Sequence, residues 1–206
     1  MQGMNPYAQG IVTALANQPK LLMKMKILSL GKNYDVMDPN QRVLCQVGLD
    51  ASQNMRGTAV SSAVGAFAGG YVGRWAGRSL AYTYLVRDTN GNVALAVNKG
   101  SGGNTAEFQV VDVASGTSFG RIDLKRSLIG GLKATWIGPD GQVWMHTKGN
   151  IIRRKYAILG PDGREVGRVR HKIIAIRDVW ELEFESGANH LYSAIFATIL
   201  DFEKKM

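Results

Sequence analysis

A chain of 206 residues that is 45% hydrophobic can bury a substantial core, which excludes general disorder. Twenty-five glycines against five prolines point to many tight turns rather than a proline-rich linker. The formal net charge of +9 favours anionic partners, either acidic lipid headgroups or nucleic acid, without choosing between them.

Residues 1–20 read as an N-terminal segment, flexible or a short helix. Met1 to Ala16 lacks the basic start and continuous apolar core of a secretion signal, so a cytoplasmic location is expected. The single cysteine, Cys45, has no partner for an internal disulfide, in keeping with a reducing compartment.

From Tyr34 onward one phrase recurs: an apolar alternation, a turn rich in Asp, Asn and Gly, then a second alternation. It runs Tyr34-Asp-Val-Met-Asp-Pro-Asn-Gln-Arg-Val43, then Tyr84-Leu-Val-Arg-Asp-Thr-Asn-Gly-Asn-Val93. Phe108 to Gly116 is a looser copy, and Trp136 to Val143 and Tyr156 to Val166 follow with Pro-Asp-Gly turns. Such turns between alternating runs are the strongest short-range hairpin signal. Five hairpins imply ten or more strands, and a sheet that large removes its edges by closing into a barrel.

Two segments depart from the repeat. Between the first two hairpins, Ser61, Gly65, Gly69, Gly73 and Gly77 recur every fourth residue within Thr58 to Leu80. On a helix this is a smooth stripe that permits close backbone contact, a glycine zipper. With Phe67, Tyr71 and Trp75 as anchors it reads as a shallow membrane-contacting segment or a self-association helix, the alternative being a flexible excursion packed on the barrel. Arg74 and Arg78 argue against a full crossing, since each costs about 3 kcal/mol near the bilayer centre. The other departure is the tail. His190 to Glu203 is apolar nearly all round, the mark of a helix buried on every side. Leu191 to Phe202 spans about 18 Å at 1.5 Å per residue, short of the roughly 30 Å of a hydrocarbon core. The expected role is therefore a plug that fills the barrel lumen.

The charge is uneven. Met145 to Trp180 holds Lys148, Arg153, Arg154, Lys155, Arg164, Arg168, Arg170, Lys172 and Arg177 against Asp162, Glu165 and Asp178. The first eight of these bases, on neighbouring hairpins, are the candidate lipid-headgroup site. Each Lys or Arg near an anionic membrane contributes about 1 kcal/mol. The bland alternative is an ordinary solvated barrel face.

Signals for catalysis are weak. Gly116-Thr-Ser-Phe-Gly120 matches the serine-hydrolase elbow but sits inside an expected hairpin, with no helix after it. His146, His171 and His190 are isolated, without zinc-site spacing. Gly100-Ser-Gly-Gly103 lacks the Gly-Lys-Ser/Thr ending of a phosphate loop and reads as a turn. No enzymatic activity is expected, and no catalytic residue is assigned.

Several strings together resemble the phospholipid scramblase family and, more distantly, LURP-one-related and tubby-like proteins. They are Asn33-Tyr-Asp-Val with Gln41-Arg-Val-Leu44, Arg78-Ser-Leu with Arg87-Asp-Thr-Asn-Gly91, and Gly167-Arg-Val. Asp178-Val-Trp-Glu-Leu-Glu-Phe184 and Ala197-Thr-Ile-Leu-Asp-Phe202 complete the set, and the similarity runs from Leu21 to Phe202. The resemblance implies one domain over 21–206: a twelve-stranded closed antiparallel barrel around a central C-terminal helix at 188–203, with 58–80 as an insertion. It implies membrane association and, for some members, lipid movement between leaflets. It also brings a calcium segment before the terminal helix, for which Asp178, Glu181, Glu183 and Glu185 are the candidates. The following loop, Ser186 to Asn189, is shorter than the family's and lacks its proline. The palmitoylated cysteine stretch is replaced by the glycine stripe, so lipidation is not expected.

Three functions follow. The first is a scramblase-like protein, peripheral on the cytoplasmic face of a membrane, that binds acidic phospholipids and assists their transbilayer movement. The second is a LURP-one-like scaffold or sensor that forms a homo-oligomer through the stripe. The third, ranked last, is nucleic-acid binding through the basic face, which lacks interleaved aromatics.

Overall fold

The computed structural model describes residues 4–26, 33–50, 82–100, 105–126, 132–150, 155–174, 177–185 and 189–205. The chain opens with helix α1 (Pro6–Ala16). Strands β1 (Lys20–Met25), β2 (Asn33–Met37), β3 (Val43–Leu49) and β4 (Tyr82–Arg87) follow. Then come β5 (Val93–Lys99), β6 (Thr105–Asp112), β7 (Ser118–Arg126) and β8 (Leu132–Ile137). The set ends with β9 (Val143–Asn150), β10 (Lys155–Leu159), β11 (Glu165–Ile174), β12 (Arg177–Phe184) and helix α2 (His190–Lys205). Each strand pairs antiparallel with its chain neighbours, and β1 pairs with β12, closing a twelve-stranded barrel. Closure leaves no edge exposed, which is the reason a sheet this wide adopts it.

All five hairpins read from the sequence are present, as β2–β3, β4–β5, β6–β7, β8–β9 and β10–β11. They share one device. A tight turn ends in a residue of positive φ, and the register shifts by a bulge at the turn: Gln41 (66°), Gly91 (88°), Gly116 (69°), Gly141 (79°) and Gly163 (80°). Glycine tolerates this region, and the bulge adds twist that helps the sheet curl. Each turn also holds an aspartate whose carboxylate accepts backbone N–H groups: Asp38 from Arg42, Asp88 from Asn90 and Asn92, and Asp112 from Ala114 and Ser115. Asp140 accepts from Gln142 and Asp162 from Arg164. Because the strands alternate in direction, all five turns lie at one end of the barrel, here called the turn end.

Helix α2 runs inside. Its Tyr192 stacks on Trp136 of β8 with ring centroids 3.3 Å apart, and Phe196 meets the edge of Tyr156 on β10 at 5.9 Å. Near its far end Asp201 accepts the Tyr34 hydroxyl from β2, across the lumen from β8. A helix gripped from such separate strands is enclosed. Leu191, Ala194, Ile195, Ala197, Ile199 and Leu200 are all buried. The buried hydroxyls of Ser193 and Thr198 donate to the carbonyls of Asn189 and Ala194, so neither is left unsatisfied. Among the described residues no helix is long and apolar enough to cross a membrane.

Helix α1 packs on α2, β3 and β5 through Ala8, Ile11 and Leu15, spaced three and four apart on one face. Asn5 caps it by accepting from Ala8 N–H at 2.8 Å, and Pro6 follows where no N–H is needed. The glycine-stripe segment at 58–80, with Ser61, Gly65, Phe67, Gly69, Tyr71, Gly73, Trp75 and Gly77, lies outside the described residues.

Candidate functional site

The basic candidates lie mainly on the outer wall, because period-two alternation turns Met145, Thr147, Tyr156, Ile158 and Val169 inward and their neighbours outward. Lys148, Lys155 and Arg168 are exposed and Arg170 is half-buried. The register brings them together: Lys148 lies opposite Ala157, Lys155 opposite Arg170, and Ala157 opposite Arg168. Arg164 is not part of this group. It sits in the β10–β11 turn, at the other end of β10 from Lys155. Arg153 and Arg154 lie outside the described residues.

Strand β12 supplies counter-charges. Glu181 and Glu183 stand opposite Arg170 and Arg168. Glu181, only 8% exposed, is held by Lys172 at 2.6 Å and Lys20 at 3.2 Å. Glu183 is 3.7 Å from Arg170 and 3.9 Å from Lys20, and Arg168 pairs with Glu165. Burial pushes the Glu181 carboxyl up, but the hydrogen bonds from Lys172 and Lys20 outweigh it, and the net shift is down. The β11 bases and the calcium candidates are thus largely one another's partners. Glu185 lies just beyond β12, donating its backbone N–H to the Val166 carbonyl, and nothing is described of the Asp178 side chain. Among the described residues, no three His, Cys, Asp or Glu side chains are grouped to hold a metal ion.

Two exposed lysines that the sequence reading passed over belong to the same wall. Lys125 on β7 lies directly opposite Lys133 on β8. Continuing the β8–β9 register from Thr135 and His146 brings Lys133 alongside Lys148. A signal was available, since a hairpin centred on residue 129 puts 125 and 133 face to face.

Inside, a cavity of about 20 Å³ sits between α2 and the wall at Trp136, Met145, Thr147 and Ser193, room for a single water rather than a lipid chain. On the outside, α1 and the first two hairpin turns border a groove of about 270 Å³, with Tyr7, Arg42 and Asp88 at its margins. Gly116-Thr-Ser-Phe-Gly120 forms the β6–β7 turn and the start of β7, with no helix behind it.

No protein-family model matches the chain, and no curated protein sequence does. The solved structure of a protein from Arabidopsis thaliana, AT5G01750, is similar with a TM-score of 0.54 at 14% identity, over 93% of this chain and 96% of that one. The closed twelve-stranded antiparallel barrel with a C-terminal helix, which the quoted sequence strings imply, is the architecture present. At this identity the similarity concerns the fold alone.

Proposed function

We propose that the protein is a non-enzymatic, scramblase-like lipid-binding barrel, peripheral on a membrane, that holds acidic phospholipid headgroups on its basic outer wall. The observation that carries this reading is the adjacency of Lys148 and Lys155 on neighbouring strands of one outward face, with Arg170, shared with Glu183, opposite Lys155. Like charges opposed across a sheet destabilise it, by up to about 1 kcal/mol per pair. An anionic surface relieves that repulsion and adds about 1 kcal/mol of attraction per cation. Movement of lipid between leaflets is the stronger form of the same proposal.

Co-sedimentation with phosphatidylcholine vesicles, with and without phosphatidylserine, tests the binding. Capture by the acidic vesicles that fades as salt is raised supports the reading, and indifference to lipid charge overturns it. Dithionite quenching of labelled liposomes tests lipid movement separately.

A further inference from the structure

The two ends of the barrel differ in charge, the turn end mixing aspartates with Arg42, Arg87 and Arg164. At the turn end stand Asp38, Asp88, Asp112, Asp140 and Asp162, each accepting a hydrogen bond from its own turn. At the other end, the exposed Lys125, Lys133, Lys148 and Lys155 lie close to the limits of β7, β8, β9 and β10. Of the described acids near that rim, Asp35 engages Lys26 at 3.2 Å, Asp123 and Glu107 engage Arg121 at 3.2 and 3.8 Å, Glu181 engages Lys172, and Asp50 is buried. Among the described residues none of the four lysines forms an ion pair.

We infer that the barrel docks end-on against an anionic bilayer, with the rim of Lys125, Lys133, Lys148 and Lys155 toward the headgroups and the aspartate turns facing away. This rests on the lipid-binding reading above and names the surface that performs it. Neighbouring strands lie about 4.8 Å apart, so Lys125, Lys133 and Lys148 form a compact arc around a convex wall. A plane of headgroups can meet such a rim, whereas a convex wall offers no groove to track a nucleic-acid backbone. The lysine cluster sets the orientation, because at the turn end Asp38, Asp88, Asp140 and Asp162 are interspersed with Arg42, Arg87 and Arg164, and that end presents no comparable cationic arc.

The test compares three proteins on phosphatidylcholine–phosphatidylserine vesicles, with thermal melts to confirm folding. They are the wild type, a rim variant (Lys125→Gln, Lys133→Gln, Lys148→Gln, Lys155→Gln) and a turn-end variant (Arg42→Gln, Arg87→Gln, Arg164→Gln). The rim variant is expected to bind at least about tenfold more weakly, and the turn-end variant to bind within about twofold of the wild type. A single Lys125→Glu change is expected to raise the melting midpoint, by converting a lysine pair into an ion pair, while weakening vesicle binding. Wild-type binding with an unaffected rim variant overturns the end-on orientation and leaves the lipid-binding reading standing. Failure of the wild type to bind acidic vesicles overturns that reading itself.

Discussion

The backbone N–H of Asn5 donates to the Asp112 carboxylate at 2.8 Å, joining the start of the first helix to the β6–β7 turn across 107 residues. The same aspartate accepts from Ala114 and Ser115, and the Asn5 side chain donates to the Ala94 carbonyl at 2.9 Å. Helix α1 is therefore pinned at its N-cap to two hairpins. Burial pushes the Asp112 carboxyl up, yet the hydrogen bonds from Asn5 and Ser115 outweigh it and the net shift is down. A carboxyl whose folded pKa is depressed adds stability that is present above its unfolded value and lost as pH falls through the folded one. Asp112→Ala is expected to cost about 2 kcal/mol at neutral pH and to flatten the acid limb of stability. Chemical denaturation of both proteins across the acid range checks this, and parallel acid limbs would refute it.

Tyr34 and Asp201 tie the central helix to the wall, both fully buried, the hydroxyl donating to the carboxylate. Tyr34→Phe removes that donor from a buried acid, with an expected loss of about 1–3 kcal/mol. Ile195→Ala, in the middle of the same helix, empties packed volume and is expected to cost about 2–5 kcal/mol. Urea unfolding midpoints compare the two. An Ile195→Ala protein as stable as the wild type would mean that the helix does not fill the lumen.

Glycines at positive φ divide by what surrounds them. Gly91 has φ 88° and open space where a Cβ would stand. Gly120 has φ 113°, and a Cβ there would lie 2.3 Å from the Ile137 carbonyl oxygen. Gly91→Ala is expected to cost about 1 kcal/mol, from backbone strain alone. Gly120→Ala should cost well over twice as much, since β7 and β8 must also separate. Equal melting shifts for the two variants would contradict this account.

Glu181 holds Lys172 and Lys20 on the outer wall. Glu181→Gln is expected to cost only about 1 kcal/mol, because Lys172 is half exposed and solvent screens the pairs. The same change frees Lys172 and leaves Lys20 with Glu183 alone, so binding to acidic vesicles should tighten by about two- to fivefold. Weaker binding would indicate that Glu181 serves a cation at the membrane instead. A calcium-dependent rise in the wild-type melting midpoint, absent from the variant, would point the same way.

The hairpins were legible because their information is local. Turns rich in Asp, Asn and Gly and period-two alternation are properties of neighbouring residues, and all five hairpins appeared where Tyr34, Tyr84, Phe108, Trp136 and Tyr156 announced them. The helix at 190–205 was legible for a related reason, since an apolar surface on every side requires enclosure whatever encloses it. The quoted strings pointed to twelve strands, and the closed barrel has that number.

The charged wall was only half legible. The sequence by itself determined which residues are basic and, through strand parity, which face they take. It did not determine which side chain meets which across strands, because register between hairpins depends on how the whole sheet closes. Closure brought Lys20 of β1 against Glu181 of β12, and the β11–β12 register seated Lys172 against the same carboxylate and Arg170 beside Glu183. Charge is written residue by residue, but its neutralisation is decided by neighbours far away in the chain. That is why composition announced a basic protein and only the tertiary structure located the part of its surface that stays basic.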